Sequence, residues 1–284
     1  MNPRCIGHSV EIVLDGRALR VHYLDSGPSA GGRPALVMLH GSGPGACGQR
    51  NFSANIGYFV RLGYRVLAPD WPGWGQSDTL VCHGARSELN ARILGLFLAA
   101  IGLREPVHLM GNSMGAHSAA VYAAHHPVAS LALLGGGNGG RAVFQPAPSE
   151  GVSLIVDFYR QPDPERLRAL LRAVVYDPSG ITDALVAERF EAIMARPDHL
   201  ESYRQSQQSC PLPYPDISAR LPDIAAPTLV IWGREDRVVP VDIGLRVAAL
   251  IPRCELHLFS QCGHVPHAEQ AARFNSLLGA FLAS

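Results

Sequence analysis

The 284-residue chain has no excess charge of either sign: Lys+Arg and Asp+Glu number 24 each, and the pI is about 7.2. It therefore lacks the basic field that would draw nucleic acid or an anionic membrane surface. No apolar run approaches the length of a membrane span. The first residues, Met1 to His8, carry no apolar core of a signal peptide. Six cysteines, at 5, 47, 82, 210, 254 and 262, have no C-x-x-C spacing and suggest neither a disulfide framework nor a zinc site. No metal cluster is apparent. The glycines at 135–137, 139 and 140 follow a late strand and do not make a dinucleotide fingerprint. Internal repeats and low-complexity segments are also missing. These absences point to a soluble, cytoplasmic protein with reduced thiols and no metal or cofactor. Its length suits one large domain, or one domain carrying an insertion.

What is there centres on Val107-His108-Leu109-Met110-Gly111-Asn112-Ser113-Met114-Gly115. It reads as an apolar strand, a sharp G-x-S-x-G turn and the start of a helix. Such a turn lifts a serine hydroxyl off the end of a sheet, and its glycines let strand and helix approach closely. Around it, 9–14 and 18–24 alternate about Asp15-Gly16, which predicts an antiparallel hairpin. The near-continuous apolar run 35–40 suits a strand covered on both faces, and further strands are read at 64–70, 131–134, 228–232 and 255–259. Helices are expected over 87–101, 241–251 and 266–282. Strands alternating with helices imply a mostly parallel, doubly wound α/β sheet.

Residues 144–213 break that pattern. No strand-like run occurs there, while Leu167, Leu170, Leu171, Val174 and Val175 fit one helix and 182–196 fits another. Proline-rich joints at 145–148 and 211–213 bound the region. The expected organisation is a core in two parts, 1–143 and 214–284, with a helical lid at 144–213 inserted between them.

A serine hydroxyl is a weak nucleophile that needs a base, and the base needs a carboxylate to fix its tautomer. In a sheet of this kind the order is serine, acid, histidine, each just after a strand. Asp236 follows the 228–232 strand and His264 follows the 255–259 strand, so the expected triad is Ser113, Asp236 and His264, with Glu235 as the rival acid. An oxyanion hole is expected from the backbone N–H groups of Met114 and of Ser42, in the glycine-rich loop His40–Gly45. His40, His117, His126 and His267 read as structural or exposed.

HGSGPGA at 40–46, PDWPGWGQSD at 69–78, GNSMGAHS at 111–118, WGREDRVVP at 232–240 and CGH at 262–264 resemble the meta-cleavage product hydrolases of aromatic degradation. The resemblance spans nearly the whole chain. Within the insertion, 159–162, 182–185 and 198–201 are similar to the branch of that family in phenylpropionate catabolism. It implies an α/β-hydrolase fold and cleavage of a carbon–carbon bond in a vinylogous 1,5-diketone. The dienol would first be ketonised. His264 would then assist attack by Ser113 or water on the remote ketone, releasing 2-hydroxypenta-2,4-dienoate and a carboxylic acid. It further implies a small-molecule dienoate substrate, a homodimer or larger homo-oligomer, and polar substrate contacts at Asn51, Asn112 and Arg189.

Arg189 also stands out alone, sharing a helix face with Leu185, Ala192 and Ile193, where an arginine has an anion to meet. Two positions depart from the family. Val265 stands where tryptophan follows the histidine, and Val174 lies where the insertion has phenylalanine. The expectation is a reshaped, roomier pocket. A carboxylesterase or amidase with the same triad is the alternative, and a binding protein on the same fold is a third reading.

Overall fold

The computed structural model describes residues 5–136, 140, 142–144 and 147–284. The first four residues, the glycines at 137 and 139, and the start of the proline-rich joint at 145–146 lie outside the described residues.

The chain opens with β1 (Ile6–Leu14) and β2 (Arg17–Asp25), paired antiparallel over their whole length. Asp15 and Gly16 both take positive φ, 50° and 80°, the backbone a two-residue hairpin turn requires. Then follow β3 (Leu36–Leu39), α1 (Gly48–Arg61), β4 (Val66–Pro69), α2 (Arg86–Ala100), β5 (His108–Asn112), α3 (Met114–Ala123) and β6 (Ser130–Leu134). Four helices come next: α4 (Glu150–Arg160), α5 (Pro164–Val174), α6 (Asp183–Met194) and α7 (Pro197–Ser209). The chain ends with β7 (Thr228–Gly233), α8 (Val241–Leu250), β8 (Cys254–Phe259), α9 (Pro266–Glu269) and α10 (Ala271–Ala283).

The eight strands form one sheet in the order β1-β2-β4-β3-β5-β6-β7-β8, parallel from β4 to β8. This is the α/β-hydrolase arrangement. Every residue of β3 is buried, and its side chains alternate between two cores. Val37 and Leu39 join Leu109 and Leu133 on one face; Leu36 and Met38 join Met110, Ala132 and Leu134 on the other. Helices cover both faces, which is why these strands read as unbroken apolar runs.

β4 lies on one side of β3 and β5 on the other, so the chain reverses its direction of travel across the sheet between them. Loops leaving the carboxyl ends of strands at such a switch point diverge and leave a crevice. The loops carrying Ser42 and Ser113 leave β3 and β5 there.

Helices α4 to α7 have a small core of their own in Phe158, Leu167, Val186 and Ile193. Their starts are set locally. Asp163 caps α5 by accepting from the N–H groups of Glu165 (2.8 Å) and Arg166 (3.2 Å), with Pro164 at the first position. Thr182 caps α6 through Leu185 N–H at 3.2 Å. Val175, expected in the α5 helix, is extended and ends it.

The helix expected over 266–282 is two helices. Gln270 leaves helical geometry (φ −127°, ψ 44°), and its amide donates to the carbonyls of Ser260 (2.8 Å) and Gln261 (3.1 Å). Among the described residues no helix is long and apolar enough to cross a membrane. No group of three or more His, Cys, Asp or Glu among them is placed to hold a metal ion.

Candidate active site

Ser113 stands between β5 and α3 with φ 54° and ψ −117°, a conformation that non-glycine residues rarely adopt. The neighbouring glycines make it possible. A Cβ at Gly115 would lie 2.0 Å from the Leu39 carbonyl oxygen, and one at Gly111 would lie 2.4 Å from the Gly115 backbone. β3, β5 and α3 are pressed together so closely that only hydrogen fits. Ser113 N–H donates to Leu134 O at 2.7 Å, which fixes the elbow to β6. The serine is half-buried. Among the described residues its hydroxyl forms no hydrogen bond. A resting nucleophile commonly meets its base only when substrate is in place.

His264 Nδ1 lies 2.8 Å from Asp236 Oδ2, and both side chains are buried. The other Asp236 oxygen accepts from the N–H groups of Val238 (2.8 Å) and Val239 (2.9 Å), so the carboxylate cannot turn away. Glu235 points elsewhere: it accepts from Cys262 N–H at 3.0 Å and pairs with Arg234 at 2.6 Å. Of the two candidate acids, Asp236 is the one that touches the imidazole. Asn112 joins this pair to the elbow, its amide donating to His264 O at 3.3 Å.

The loop after β3 reaches the elbow at Gly41, where a Cβ would lie 3.2 Å from the Ser113 Cβ. The buried His40 anchors this loop. Its Nε2 accepts from Trp71 N–H at 3.0 Å, so Nδ1 carries the proton and donates to Gly41 O at 2.8 Å. Burial holds the ring's pKa below the ordinary histidine value, and the neutral tautomer fits both bonds. Tyr159 of α4 donates its hydroxyl to Ser42 O at 3.0 Å. Ser42 is buried at the elbow's side, and Met114 is the first residue of α3. The N–H groups at a helix start have no intrahelical acceptor, and the helix dipole favours negative charge there.

The remaining candidates are placed as follows. Asn51 lies in the first turn of α1, whose next residue, Phe52, packs on the His267 ring at 5.4 Å. Asn112 is buried, and its amide also reaches Leu134 O at 3.5 Å. Val174 ends α5, and its carbonyl accepts from His264 N–H at 2.8 Å. Val265 is half-buried beside it. Arg189 is half-buried on α6, without an ion pair among the described residues, and one turn before Ile193.

Ile193 in turn lies against Gly45 and close to the Arg50 guanidinium. Burial lowers the pKa of Arg189, and the like charge of Arg50 lowers it further. The Arg50 guanidinium makes one hydrogen bond among the described residues, 2.7 Å to Gly45 O, and no carboxylate faces it among them. A cavity of about 210 Å³ adjoins, lined by Gly45, Cys47, Arg50, Tyr159, Ile193 and His199. The Arg50 guanidinium lines this cavity with no carboxylate against it among the described residues, a setting that suits an anionic ligand. Sequence reasoning passed over Arg50 and Tyr159. Arg50 has no mark in its local sequence and Tyr159 figured only within the resembling stretch 159–162, because their importance comes from α4 and α6 closing on the loop after β3.

A family model described as the α/β-hydrolase fold matches residues 34–271. The 2-hydroxy-6-oxononadienedioate/2-hydroxy-6-oxononatrienedioate hydrolase of Burkholderia vietnamiensis is 48% identical over 275 residues, covering 96% of this chain and 94% of that protein. A meta-cleavage product hydrolase from Pseudomonas fluorescens IP01 superposes with a TM-score of 0.82 at 29% identity, over 96% of this chain and 97% of that one. The 2-hydroxy-6-oxo-6-phenylhexa-2,4-dienoate hydrolase of Rhodococcus sp. strain RHA1 superposes with a TM-score of 0.80 at 26% identity, over 98% and 100%.

Proposed function

The chain belongs to the α/β-hydrolase fold family and is a carbon–carbon bond hydrolase of meta-cleavage products in aromatic catabolism, and we propose that Ser113, Asp236 and His264 carry the reaction. The observation that supports these roles most directly is the 2.8 Å Asp236–His264 contact beside the strained Ser113 elbow. Asp236 holds the proton on His264 Nδ1 and leaves Nε2 to act as base.

The proposed substrate is 2-hydroxy-6-oxononadienedioate, the compound named for the Burkholderia relative, or a ring-fission product like it. Ketonisation of its dienol gives a vinylogous 1,5-diketone. Ser113 Oγ then adds to the C6 carbonyl while His264 takes its proton. The oxygen that becomes negative lies against the N–H groups of Ser42 and Met114. As the carbonyl re-forms, the C5–C6 bond breaks and its electron pair passes into the conjugated ketone, which regains the proton from His264. Water, activated by His264, then releases the acyl group from Ser113. The products are 2-hydroxypenta-2,4-dienoate and, for this nine-carbon substrate, the four-carbon diacid.

Covalent capture of the ketone by an amine is closed to this chain. All 24 of its basic residues are arginine, so it has no lysine to form a Schiff base. Arg189 holds the dienoate carboxylate with Asn51 and Asn112 near it. Val174 and Val265 leave room at the other end, in a pocket that α4 to α7 cover as a lid over 144–213. We further propose a cytoplasmic homodimer or larger homo-oligomer, the habit of the family the sequence resembles.

The test is Ser113→Ala. Dienoate turnover should fall by at least about a thousandfold with the melting temperature unchanged. A rate within a few-fold of wild type would refute the nucleophile assignment.

A further inference from the structure

We propose that Glu269 is a positioning residue for His264 and ties the histidine's loop to the end of α5. This rests on the roles given above to Ser113 and His264. The loop after β8 makes no turn of its own at 262–265. Its four successive N–H groups all bond to acceptors outside it. Cys262 N–H goes to Glu235 at 3.0 Å, and His264 N–H goes to Val174 O at 2.8 Å. The two on either side of His264 both go to Glu269: Gly263 N–H to Oε1 at 2.9 Å and to Oε2 at 3.1 Å, and Val265 N–H to Oε1 at 3.3 Å.

The other oxygen, Oε2, accepts from Tyr176 N–H at 2.7 Å. Tyr176 is two residues past the end of α5. One carboxylate therefore grips the backbone before and after His264 and joins it to the inserted helices. Gly263 has no slack in this arrangement, since a Cβ there would lie 2.5 Å from Val174 O.

A carboxylate is suited to this place because both of its oxygens accept. The neutral amide of a glutamine offers one acceptor and presents N–H groups to backbone donors on the other side. In Glu269→Gln either the Val265 bond or the Tyr176 bond must let go, while Gly263 N–H keeps the one remaining oxygen. In Glu269→Ala all of these bonds go, and the imidazole loses its fixed placement with Asp236 still beside it. A displacement of about 1 Å in a catalytic group can cost on the order of a hundredfold in rate.

The experiment follows inactivation of Ser113 by an alkyl fluorophosphonate, alongside dienoate kcat and KM and thermal melting, in wild type, Glu269→Gln and Glu269→Ala. The phosphonate reads the Ser113–His264 pair without the dienoate, so a wrong substrate assignment leaves this readout standing. The expected result is an inactivation rate about tenfold lower in Glu269→Gln and about a hundredfold lower in Glu269→Ala. kcat should fall in step, with KM within about threefold. Melting temperatures that drop while inactivation and kcat stay at wild-type values in both variants would overturn the proposal. Such a result would reduce Glu269 to a structural tie.

Discussion

The loops at the ends of β3, β5, β7 and β8 hold their residues by contacts with no spare room, whereas α4 to α7 hold theirs by helix caps and a small separate core. At the elbow, Gly115 admits no atom larger than hydrogen against Leu39 O, and Asp236 spends both oxygens on fixed partners. Across the crevice, Phe158, Leu167, Val186 and Ile193 form a satellite cluster, and Arg189 projects from α6 without a counter-ion among the described residues. Under the proposed roles of Ser113, His264 and Arg189, the difference teaches how the two walls divide the work. Bond cleavage needs groups fixed to within about half an ångström, and strand ends packed between two cores supply that. Substrate selection needs charge and shape on a surface that can be re-cut without loss of the sheet.

The sharpest way to break this comparison is to make one substitution in both walls. Gly115→Ala should abolish the folded protein or cost more than about 4 kcal/mol, because the added carbon meets backbone on a buried strand. Gly180→Ala, beside the insertion's helices, meets nothing within 4 Å. It should change stability by less than about 1 kcal/mol. Chemical denaturation of both measures this directly, and equal effects would erase the contrast.

A smaller effect sharpens it on the functional side. Arg189→Met should raise KM for the dienoate by about ten- to a hundredfold, the cost of one charge-assisted hydrogen bond. Its rate of hydrolysis of a neutral p-nitrophenyl ester should stay near wild type. Loss of both activities together would move Arg189 from substrate selection into the support of the fold.

The two walls also differed in how far the sequence revealed them. The parallel strands announced themselves, because β3, β5, β6 and β7 are buried on both faces and so carry unbroken apolar runs. The residues proposed as the triad sat at strand ends in a recognisable order, and Asp236 could be named before its contact with His264 was seen. Helices α1 and α4 were passed over although α1 carries a stripe in Phe52, Ile56 and Phe59, whereas α7 left no comparable stripe to read. In α7 only Ser202 and Tyr203 are buried, so most of its face is polar. The break at Gln270 was hidden because the apolar pattern continues through it. What ends α9 is the side chain's bonding to Ser260 and Gln261 across space. Glu269 was invisible for the same reason. An exposed-looking glutamate on a short helix acquires its role only when the β8 loop and the end of α5 are brought to it.

The most direct test of the account is a stopped-flow reaction of the purified protein with 2-hydroxy-6-oxonona-2,4-dienedioate, following the dienolate absorbance and identifying the products. The account predicts rapid decay with equal amounts of 2-hydroxypenta-2,4-dienoate and succinate. Persistence of the dienolate for this and related ring-fission products, together with fast cleavage of a p-nitrophenyl ester, would contradict it and make the same Ser113–His264–Asp236 site that of an esterase.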